Sequence, residues 1–476
     1  MIIQNDTIAA VSTPPGVGGI AVIRVSGSDA IKIVNTAWKG ADLDNVKSHT
    51  LHLGRYFTSD GDLLDEAVAA VFHSPNSFTG ENVVEISIHG SEWIQREILA
   101  DLIKRGARIA LPGEFSQRAF LNNKIDLAQA EGIADLIASS SKAAHTLAIN
   151  QTKGTFSQEF NRLREKLIEF ASLLELELDF SEEDVEFANR DALIQLCNQV
   201  VEKVDNLAKS YAKGAVLKNG VPVVIAGIPN AGKSSLLNIL LNDDKAIVAD
   251  IPGTTRDIIE DTIDINGLIY RFIDTAGLRK ASETIEAIGV NRARAALEKA
   301  FMVIWVIDPF APLENQYEEF SQFISKHPES HIIPLINKSD LSSPSLDLSS
   351  VTEKFKTINT SPIIFSTHTK QGLQSLLNAL SEKTNSDNLS ESDIIVTNAR
   401  HYEALCKASE ALHRALNSLQ PQTSTHSFPD PQNNNISSEF IAQDIREAIS
   451  YLSSITGIIT TDTLLHSIFS RFCIGK

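Results

Sequence analysis

The sequence has few cysteines and no cysteine pairs. Cys197, Cys406 and Cys473 lie far apart, and no two of them form a CxxC motif. Three isolated thiols cannot build a disulfide framework or a zinc knuckle, so both kinds of site are excluded. We therefore predict a protein of the reducing cytoplasm.

Long hydrophobic runs and an excess of positive charge are also missing. The longest apolar stretches, such as 221–228 and 301–307, have the length of a strand, and no basic segment followed by an apolar core opens the chain. We therefore predict neither a membrane span nor a signal peptide. The 42 Lys and Arg residues stand against 60 Asp and Glu residues, a formal charge of -18. This charge disfavours non-specific nucleic-acid binding, so any RNA contact would need a local basic patch.

What is present is typical of a folded protein with several domains: 476 residues, 43% of them hydrophobic and 21% charged. Short β-rich runs between Gly, Pro and Ser clusters predict an α+β domain over residues 1–121. Helical periodicity follows over 122–218 and returns over 384–476. Between these segments, residues 219–383 contain five apolar strands alternating with helices, which predicts a parallel sheet. The predicted fold class is multidomain α/β and α+β, with the α/β domain inserted into an all-helical domain.

A phosphate-binding motif opens the predicted α/β domain. Residues 227–234 read GIPNAGKS, which fits GxxxxGK[ST], and they follow an apolar strand and precede an apolar helix, as the motif requires. In such a loop, backbone N–H groups face the phosphate oxygens, Lys233 neutralises the β and γ phosphates, and Ser234 offers its hydroxyl to Mg²⁺. The loop residues expected to contact the nucleotide are Asn230, Ala231, Gly232, Lys233, Ser234 and Ser235.

Three further segments follow predicted strands and are typical of a guanine-nucleotide site. Asp274-Thr275-Ala276-Gly277 can hold Mg²⁺ through water and meet the γ phosphate. Asn337-Lys338-Ser339-Asp340 supplies a carboxylate that can accept hydrogen bonds from N1–H and the exocyclic amine of guanine, whereas adenine would present an acceptor to it. Ser366, Thr367 and His368 can reach the guanine carbonyl through backbone N–H groups, although they depart from the usual Ser-Ala-Lys. Together these segments predict a GTPase domain.

The residue after the second motif is Leu278, where many GTPases have a glutamine that orients the attacking water. Glu286 is a candidate for that task through a bridging water, although a solvated glutamate on a helix face would look the same in sequence. The neutral oxygens of Asn230 and of the segment 249–255 suit a monovalent cation that replaces an arginine finger. Arg256 as the finger itself is an alternative. Thr255 is the natural second hydroxyl ligand of Mg²⁺.

The chain resembles the MnmE (TrmE) family of tRNA modification GTPases over essentially its full length. The resemblance rests on DTIAAVSTPPGVGGIAVIRVSG, SFTGENVVEISIHG, LPGEFSQRAFLNNKIDLAQAEGIADLI, GIPNAGKSSLLN, DIPGTTRD, DTAGLRKASETIEAIGV and the terminal FCIGK. Several of these motifs lie outside the GTPase core, which makes the resemblance specific. It implies an N-terminal tetrahydrofolate-binding domain that dimerises, a helical domain formed from two segments, and an inserted P-loop GTPase domain.

The resemblance also implies an activity. Members of the family form a homodimer and a heterotetramer with the flavoprotein MnmG. They add an aminomethyl or carboxymethylaminomethyl group to C5 of the wobble uridine (U34) of certain tRNAs. The implied cofactors are a 5-formyl or 5,10-methylene tetrahydrofolate, FAD on the partner, Mg²⁺, and K⁺ for a GTP hydrolysis that requires the two GTPase domains to meet across the dimer. The resemblance further implies GTP and GDP binding, a cytoplasmic location, no membrane contact, and tRNA contact mainly through MnmG, which the acidic charge also favours.

Site residues carry over from the family position by position. Glu286 falls at the catalytic glutamate, and Cys473 falls near the one-carbon chemistry, where a catalytic thiol is a hypothesis. The implied K⁺ ligands are Asn230, Thr254 and the carbonyls of Ala249 and Ile251, and the Mg²⁺ ligands are Ser234 and Thr255. The implied GTP contacts in the same switch segment also include Asp250, Pro252 and Gly253. The implied folate contacts are Arg24, Glu85, Lys124 and the terminal Lys476, of which the cations can pair with folate carboxylates and Glu85 with the pterin N–H edge.

Two other functions remain open from the residues alone. One is a ribosome-assembly GTPase, because some of these proteins also carry Asn in the P-loop. Such proteins usually add an RNA-binding module or a second GTPase domain. This sequence has one P-loop and no recognisable module of that kind. The other is a nucleotide-dependent switch that recruits partners and uses hydrolysis as a timer. Slow, K⁺-insensitive turnover would favour the timer.

Overall fold

The structure is a computed structural model, and it describes residues 6–179, 190–242, 247–248, 260–274, 300–328, 330–341, 347–357, 360–384, 394–419, 433–470 and 472–475. These residues belong to two compact units. The first unit comprises Met1–Ala134, Gln151–Val204 and Glu403–Lys476, and the second comprises Asp135–Asn150 and Asp205–Tyr402. In the described ranges, no helix is both long and apolar enough to cross a membrane.

The first unit contains a seven-stranded sheet. Its strands are β1 (Ile8–Val11), β2 (Gly18–Ser26), β3 (Trp38–Lys39), β4 (Thr50–Phe57), β5 (Leu63–Phe72), β6 (Val83–Gly90) and β7 (Arg108–Ile109). The order is β3-β4-β5-β6-β2-β1-β7, and every pair is antiparallel except β1 with β7. In β5, residues Ala67, Ala69 and Val71 are buried and alternate with more exposed ones, because successive side chains of a strand point to opposite faces.

Helices cover the buried face of this sheet and form the rest of the first unit. In chain order, the helices of both units within the described ranges are α1 (Ala30–Ala37), α2 (Glu92–Lys104), α3 (Glu114–Leu121), α4 (Leu127–Ala138), α5 (Lys142–Thr152), α6 (Thr155–Asp179), α7 (Arg190–Asn219), α8 (Lys233–Leu241), α9 (Leu313–Lys326), α10 (Leu348–Lys354), α11 (Leu373–Thr384), α12 (Ala399–Leu419), α13 (Asn433–Thr456) and α14 (Asp462–Phe469). Helices α1 and α2 pack on the sheet, and α6 packs along α13. Buried residues spaced three or four apart, such as Leu163, Leu167 and Phe170 in α6, form the apolar stripe that such packing requires.

The second unit contains another seven-stranded sheet. Its strands are β8 (Val221–Ala226), β9 (Ile247–Val248), β10 (Glu260–Ile265), β11 (Leu268–Asp274), β12 (Met302–Ile307), β13 (His331–Ile336) and β14 (Ile363–Ile364). The order is β14-β13-β12-β8-β11-β10-β9. The five predicted strands pair in parallel, so the prediction of a parallel sheet and of the multidomain class is confirmed.

Two strands of the second sheet were not predicted. Strands β9 and β10 pair antiparallel at the edge next to β11. The sequence of β10, EDTIDI, is too polar to read as a buried strand. It pairs nevertheless because Asn266 and Gly267 both have positive φ, 56° and 81°, which closes a two-residue hairpin between β10 and β11.

The strand order places a crevice beside β8. The chain leaves β8 toward β11 on one side of it and then crosses to β12 on the other. In an open parallel sheet, ligands bind outside the carboxyl ends of the strands where the order reverses in this way. The phosphate-binding loop follows β8, the Asn337 segment follows β13 and the Ser366 segment follows β14, so these three motifs meet at this edge.

Candidate functional site

The phosphate-binding loop joins β8 to α8 at the carboxyl edge of the second sheet. Gly232, just before α8, has φ of 101°, and a Cβ at this position would overlap Nδ2 of Asn337. Only glycine takes this conformation and this close approach without strain. The first turn of α8 then directs its backbone N–H groups and positive dipole end at the position where phosphates bind.

Lys233 lies inside the loop that it is predicted to serve. Its side chain is almost fully buried, and its Nζ donates to the carbonyls of Gly227 (2.9 Å) and Ile228 (2.7 Å). Ser234, Ser235 and Asn230 are exposed, the first two at the start of α8. The loop thus combines a fixed cation with accessible hydroxyl and amide groups, which is the chemistry of a phosphate and metal site.

Asn337 fastens the phosphate-binding loop to the base-recognition segments. The side chain is fully buried. Its Nδ2 donates to the carbonyl of Ala231 at 2.7 Å, and its Oδ1 accepts from the N–H of Thr367 at 3.1 Å. An amide suits this position because it donates and accepts at the same time. One side chain therefore joins three of the predicted motifs.

Asp340 is positioned by Ser366. The Ser366 hydroxyl donates to Oδ1 of Asp340 at 2.6 Å, and Ser366 Oγ also accepts from the N–H groups of His368 (3.2 Å) and Thr369 (3.1 Å). The hydrogen bond from Ser366 holds the pKa of Asp340 below its usual value. Asp340 is therefore a carboxylate at neutral pH, the acceptor form that the N–H edge of guanine requires.

Lys338 pairs with a carboxylate that belongs to none of the predicted motifs. Its Nζ donates to Oδ2 of Asp308 at 2.6 Å. Asp308 follows β12 directly and is buried. One signal could have revealed it: Asp308 follows an apolar strand, just as the phosphate loop and the Asn337 segment do.

Part of the predicted nucleotide site lies outside the described residues. These are Ala249, Asp250, Ile251, Pro252, Gly253, Thr254, Thr255, Arg256, Thr275, Ala276, Gly277 and Glu286. Strand β11 ends at Asp274, at the crevice edge. Of the predicted metal ligands, the structure therefore describes Asn230 for K⁺ and Ser234 for Mg²⁺.

Arg24 and Glu85, predicted as separate folate contacts, bind each other in the first unit. They are register partners on β2 and β6, and Nε of Arg24 donates to Oε1 of Glu85 at 2.8 Å. The guanidinium also lies over the rings of Phe78 (5.4 Å) and Phe115 (5.6 Å). These two phenylalanines were missed in the sequence, because nothing local places either of them beside β2. Lys124 is exposed, and its Nζ donates to the carbonyl of Pro75 at 3.0 Å.

The C-terminal segment packs on the N-terminal sheet. The Ser12 hydroxyl donates to the carbonyl of Gly475 at 3.0 Å, and the Gly113 N–H donates to the carbonyl of Cys473 at 3.4 Å. Cys473 is exposed. Gly113, which contacts the C-terminal segment, directly precedes α3. Phe115 in the first turn of α3 contacts Arg24, so α3 connects the C-terminal segment to a predicted folate residue. Lys476 lies outside the described residues.

A network of ion pairs connects α3 to neighbouring segments of the first unit. Arg118 contacts Asp6 at 2.7 Å, Glu114 at 3.0 Å and Glu81 at 3.1 Å, and Arg108 contacts Glu114 at 2.6 Å. Burial by itself would raise the pKa of Glu114, but hydrogen bonds from Arg108, the Leu111 N–H and Arg118 outweigh it and lower the pKa. The network ties α3 to the loop before β6 and to the start of β1.

Comparisons with known proteins agree over the whole chain. A family model described as the GTP-binding protein TrmE N-terminus matches residues 7–124, and a model of the MnmE helical domain matches residues 127–473. The tRNA modification GTPase MnmE of Parabacteroides distasonis is 48% identical, over 99% of this chain and 100% of that protein. The protein of the same name from Bacteroides thetaiotaomicron is 45% identical, over 99% and 100%. That of Flavobacterium johnsoniae is 44% identical, over 100% of both.

Proposed function

Because this chain belongs to the MnmE family of tRNA modification GTPases, we propose that its GTP hydrolysis depends on K⁺ and drives the modification of wobble uridine U34 in certain tRNAs. The chain acts with the flavoprotein MnmG, which carries FAD, and adds an aminomethyl or carboxymethylaminomethyl group to C5. A tetrahydrofolate derivative, 5-formyl or 5,10-methylene, carries the added carbon. The observation that carries the proposal is the convergence of Lys233, Asn337 and Asp340 at one sheet edge.

The residues at this edge divide the work of GTP hydrolysis. The ammonium of Lys233 compensates phosphate charge, and the carboxylate of Asp340 accepts hydrogen bonds from the guanine edge. Asn337 keeps the phosphate-binding loop and the base-recognition segments in place. Ser234 and Thr255 would hold Mg²⁺, which neutralises phosphate charge when bound. Asn230, Thr254 and the carbonyls of Ala249 and Ile251 would hold K⁺, since neutral oxygens suit a monovalent cation. Glu286 would orient the attacking water.

The folate assignment is supported by the pair on β2 and β6. Glu85 is partly exposed, so its carboxylate can accept from the pterin N–H edge while Arg24 holds it in place. Lys124 and Lys476 supply cations for the folate carboxylates. Cys473 is exposed on the segment that packs near α3, which leaves its thiol accessible to a one-carbon unit. Normal modification by a Cys473→Ser variant would refute an essential thiol.

We propose a homodimer, a heterotetramer with MnmG, and tRNA contact mainly through MnmG, in the cytoplasm. The formal charge of -18 supports the assignment of the tRNA contact to the partner, because it repels a polyanion. Gel-shift titration of tRNA against each protein alone tests this. Tight binding of tRNA by this chain alone would contradict it.

The main experiment is mass spectrometry of nucleosides from total tRNA of a strain that lacks this gene. We expect the C5-substituted wobble uridines to disappear on deletion and to return with the intact gene. A Glu286→Ala gene should fail to restore them, because the attacking water loses its orienting group. Glu319→Ala is the matched control, an exposed glutamate on α9 of the same unit, and should restore them. Uridines that persist in the deletion strain would refute the proposed function.

K⁺ dependence is tested by measuring GTP turnover in KCl and in NaCl at equal ionic strength. The intact chain should turn over GTP at least about tenfold faster in KCl, as expected when a bound cation stabilises transition-state charge. Asn230→Ala should remove this difference. Asn242→Ala should keep it, because Asn242 is an exposed residue that follows α8 and donates to the carbonyl of Asn238 in that helix. Equal rates of the intact chain in the two salts would favour the timer function instead.

Folate binding is tested by equilibrium dialysis with 5-formyltetrahydrofolate. Arg24→Gln should weaken folate binding by about tenfold or more. The change removes the guanidinium that pairs with Glu85, so the Glu85 carboxylate is no longer held in position for the pterin N–H edge. The matched control is Arg55→Gln, since Arg55 and Glu66 form another cross-strand ion pair of the same sheet. Equal affinity of the two variants would contradict the folate assignment.

A further inference from the structure

Asp308 is a buried carboxylate at the nucleotide edge of the second sheet. It follows β12, and β12 lies between β8, which leads into the phosphate-binding loop, and β13, which leads into the Asn337 segment. Only 6% of the residue is exposed. A buried carboxylate costs free energy unless a cation pairs with it, and at this edge its negative charge would also repel phosphates. Asp308 therefore requires a cationic partner.

Two hydrogen bonds hold the backbone of Asp308, and two more hold its carboxylate. The side chain of Gln316 donates to the carbonyl of Asp308 at 2.8 Å and accepts from its N–H at 3.0 Å. The N–H of Phe310 donates to Oδ1 at 3.0 Å, which leaves Oδ2 for Lys338 Nζ at 2.6 Å. The carboxylate is thus a fixed anchor for the lysine ammonium.

The Lys338 side chain lies between the base-recognition segment and the phosphate-binding loop. Lys338 starts after β13 and its ammonium ends at Asp308 after β12, so its apolar stem spans the ends of two neighbouring strands. Asp340, which accepts from the base, follows β13, and the phosphate-binding loop follows β8 on the far side of β12. A guanosine that joins these two sites must therefore pass over the Lys338 stem.

We propose that Asp308 is a positioning residue for guanine nucleotides. By holding the ammonium of Lys338, it keeps the four-carbon stem in place as the surface on which the guanosine packs, and it prevents the ammonium from swinging away into water. Preorganisation of this kind improves affinity, because the ordering of the side chain is already complete before the ligand binds. The inference rests on the proposed nucleotide crevice and adds to it a residue that acts through Lys338 rather than on GTP.

A double-mutant cycle tests the proposal. The variants are Asp308→Asn, Lys338→Met and the double variant, and the measured quantities are the affinity for fluorescent GDP and the KM and kcat for GTP. Each single variant should weaken GDP binding about tenfold, with KM raised and kcat nearly unchanged, since ground-state and transition-state binding are lost together. The double variant should also lose about tenfold rather than about a hundredfold, because both changes remove one interaction.

Two controls separate positioning from stability. Pyrophosphate should bind all variants equally well, because it reaches the phosphate-binding loop without crossing Lys338; a general loss of structure would weaken it too. Glu314→Gln and Lys354→Met, which break an exposed ion pair of the same unit, should change GDP affinity less than about twofold. Single variants that bind GDP normally, or losses that multiply in the double variant, would overturn the inference. Failure of the proposed crevice is a distinct outcome, in which the intact chain binds no guanine nucleotide or Asp340→Asn leaves binding unchanged.

Discussion

Replacing Asn337 with alanine should loosen the connection between the phosphate-binding loop and the base-recognition loop. The change removes the bond to the carbonyl of Ala231, a residue with no exposed surface, and the bond from the N–H of Thr367. Each buried polar group left without a partner costs about 1 to 3 kcal/mol. We expect a total of about 3 kcal/mol, which corresponds to roughly a 150-fold rise in local opening.

The assay is amide hydrogen exchange read by mass spectrometry on the nucleotide-free chain. Peptides that cover the loop before α8 and the segment after β14 should exchange faster in the variant, while peptides from β5 and β6 should not change. The matched control, Asn242→Ala, removes an exposed amide that follows α8 and donates to the carbonyl of Asn238, and it should leave both loops at their original rates.

A second substitution divides the effect between its two bonds. In Asn337→Asp the carboxylate can still accept from the Thr367 N–H but cannot donate to the Ala231 carbonyl. Exchange should then rise around Ala231 and stay low around Thr367. If exchange in the loop before α8 is the same in the alanine variant as in the original chain, the argument that Asn337 joins the motifs is refuted.

Three further outcomes are expected from the contacts of Asp340, Glu114 and Ser12. Asp340→Asn should raise the KM for GTP by at least about a hundredfold and make XTP the better substrate, because the amide can donate to the xanthine carbonyl at C2; an unchanged preference in turnover assays would exclude Asp340 as the base acceptor. The pKa of Glu114 is lowered in the folded state, so its stabilisation is present above the unfolded value of about 4.3 and is lost as pH falls through the folded value. Glu114→Gln should therefore melt lower than the original chain at neutral pH and lose less stability on acidification, and parallel pH profiles in calorimetry would contradict this. Ser12→Ala should speed carboxypeptidase trimming of the C-terminal segment by about fivefold, the effect of one lost hydrogen bond of about 1 kcal/mol; Ser470→Ala, whose bond is local, should not.

The predictable part of this protein is the part encoded by contiguous residues. The five apolar strands and the phosphate-binding loop could be read directly, because a strand and the loop that follows it are local in sequence. Strand β10 could not be read in this way, since its acidic side chains hide a pairing that depends on β11. The pairing of Arg24 with Glu85 was also out of reach: the two lie 61 residues apart and meet only through the register of β2 and β6.

The sequence by itself determined the chemistry of the nucleotide motifs, the fold class and the family, because each of these resides in residue types at fixed short spacings. The tertiary structure decided which groups meet. Asn337 reaches Ala231 across 106 residues, and Lys338 reaches Asp308 across 30. Both contacts exist because parallel strands bring their carboxyl ends to one edge, and the order of those strands is set by packing of the whole sheet rather than by any local segment.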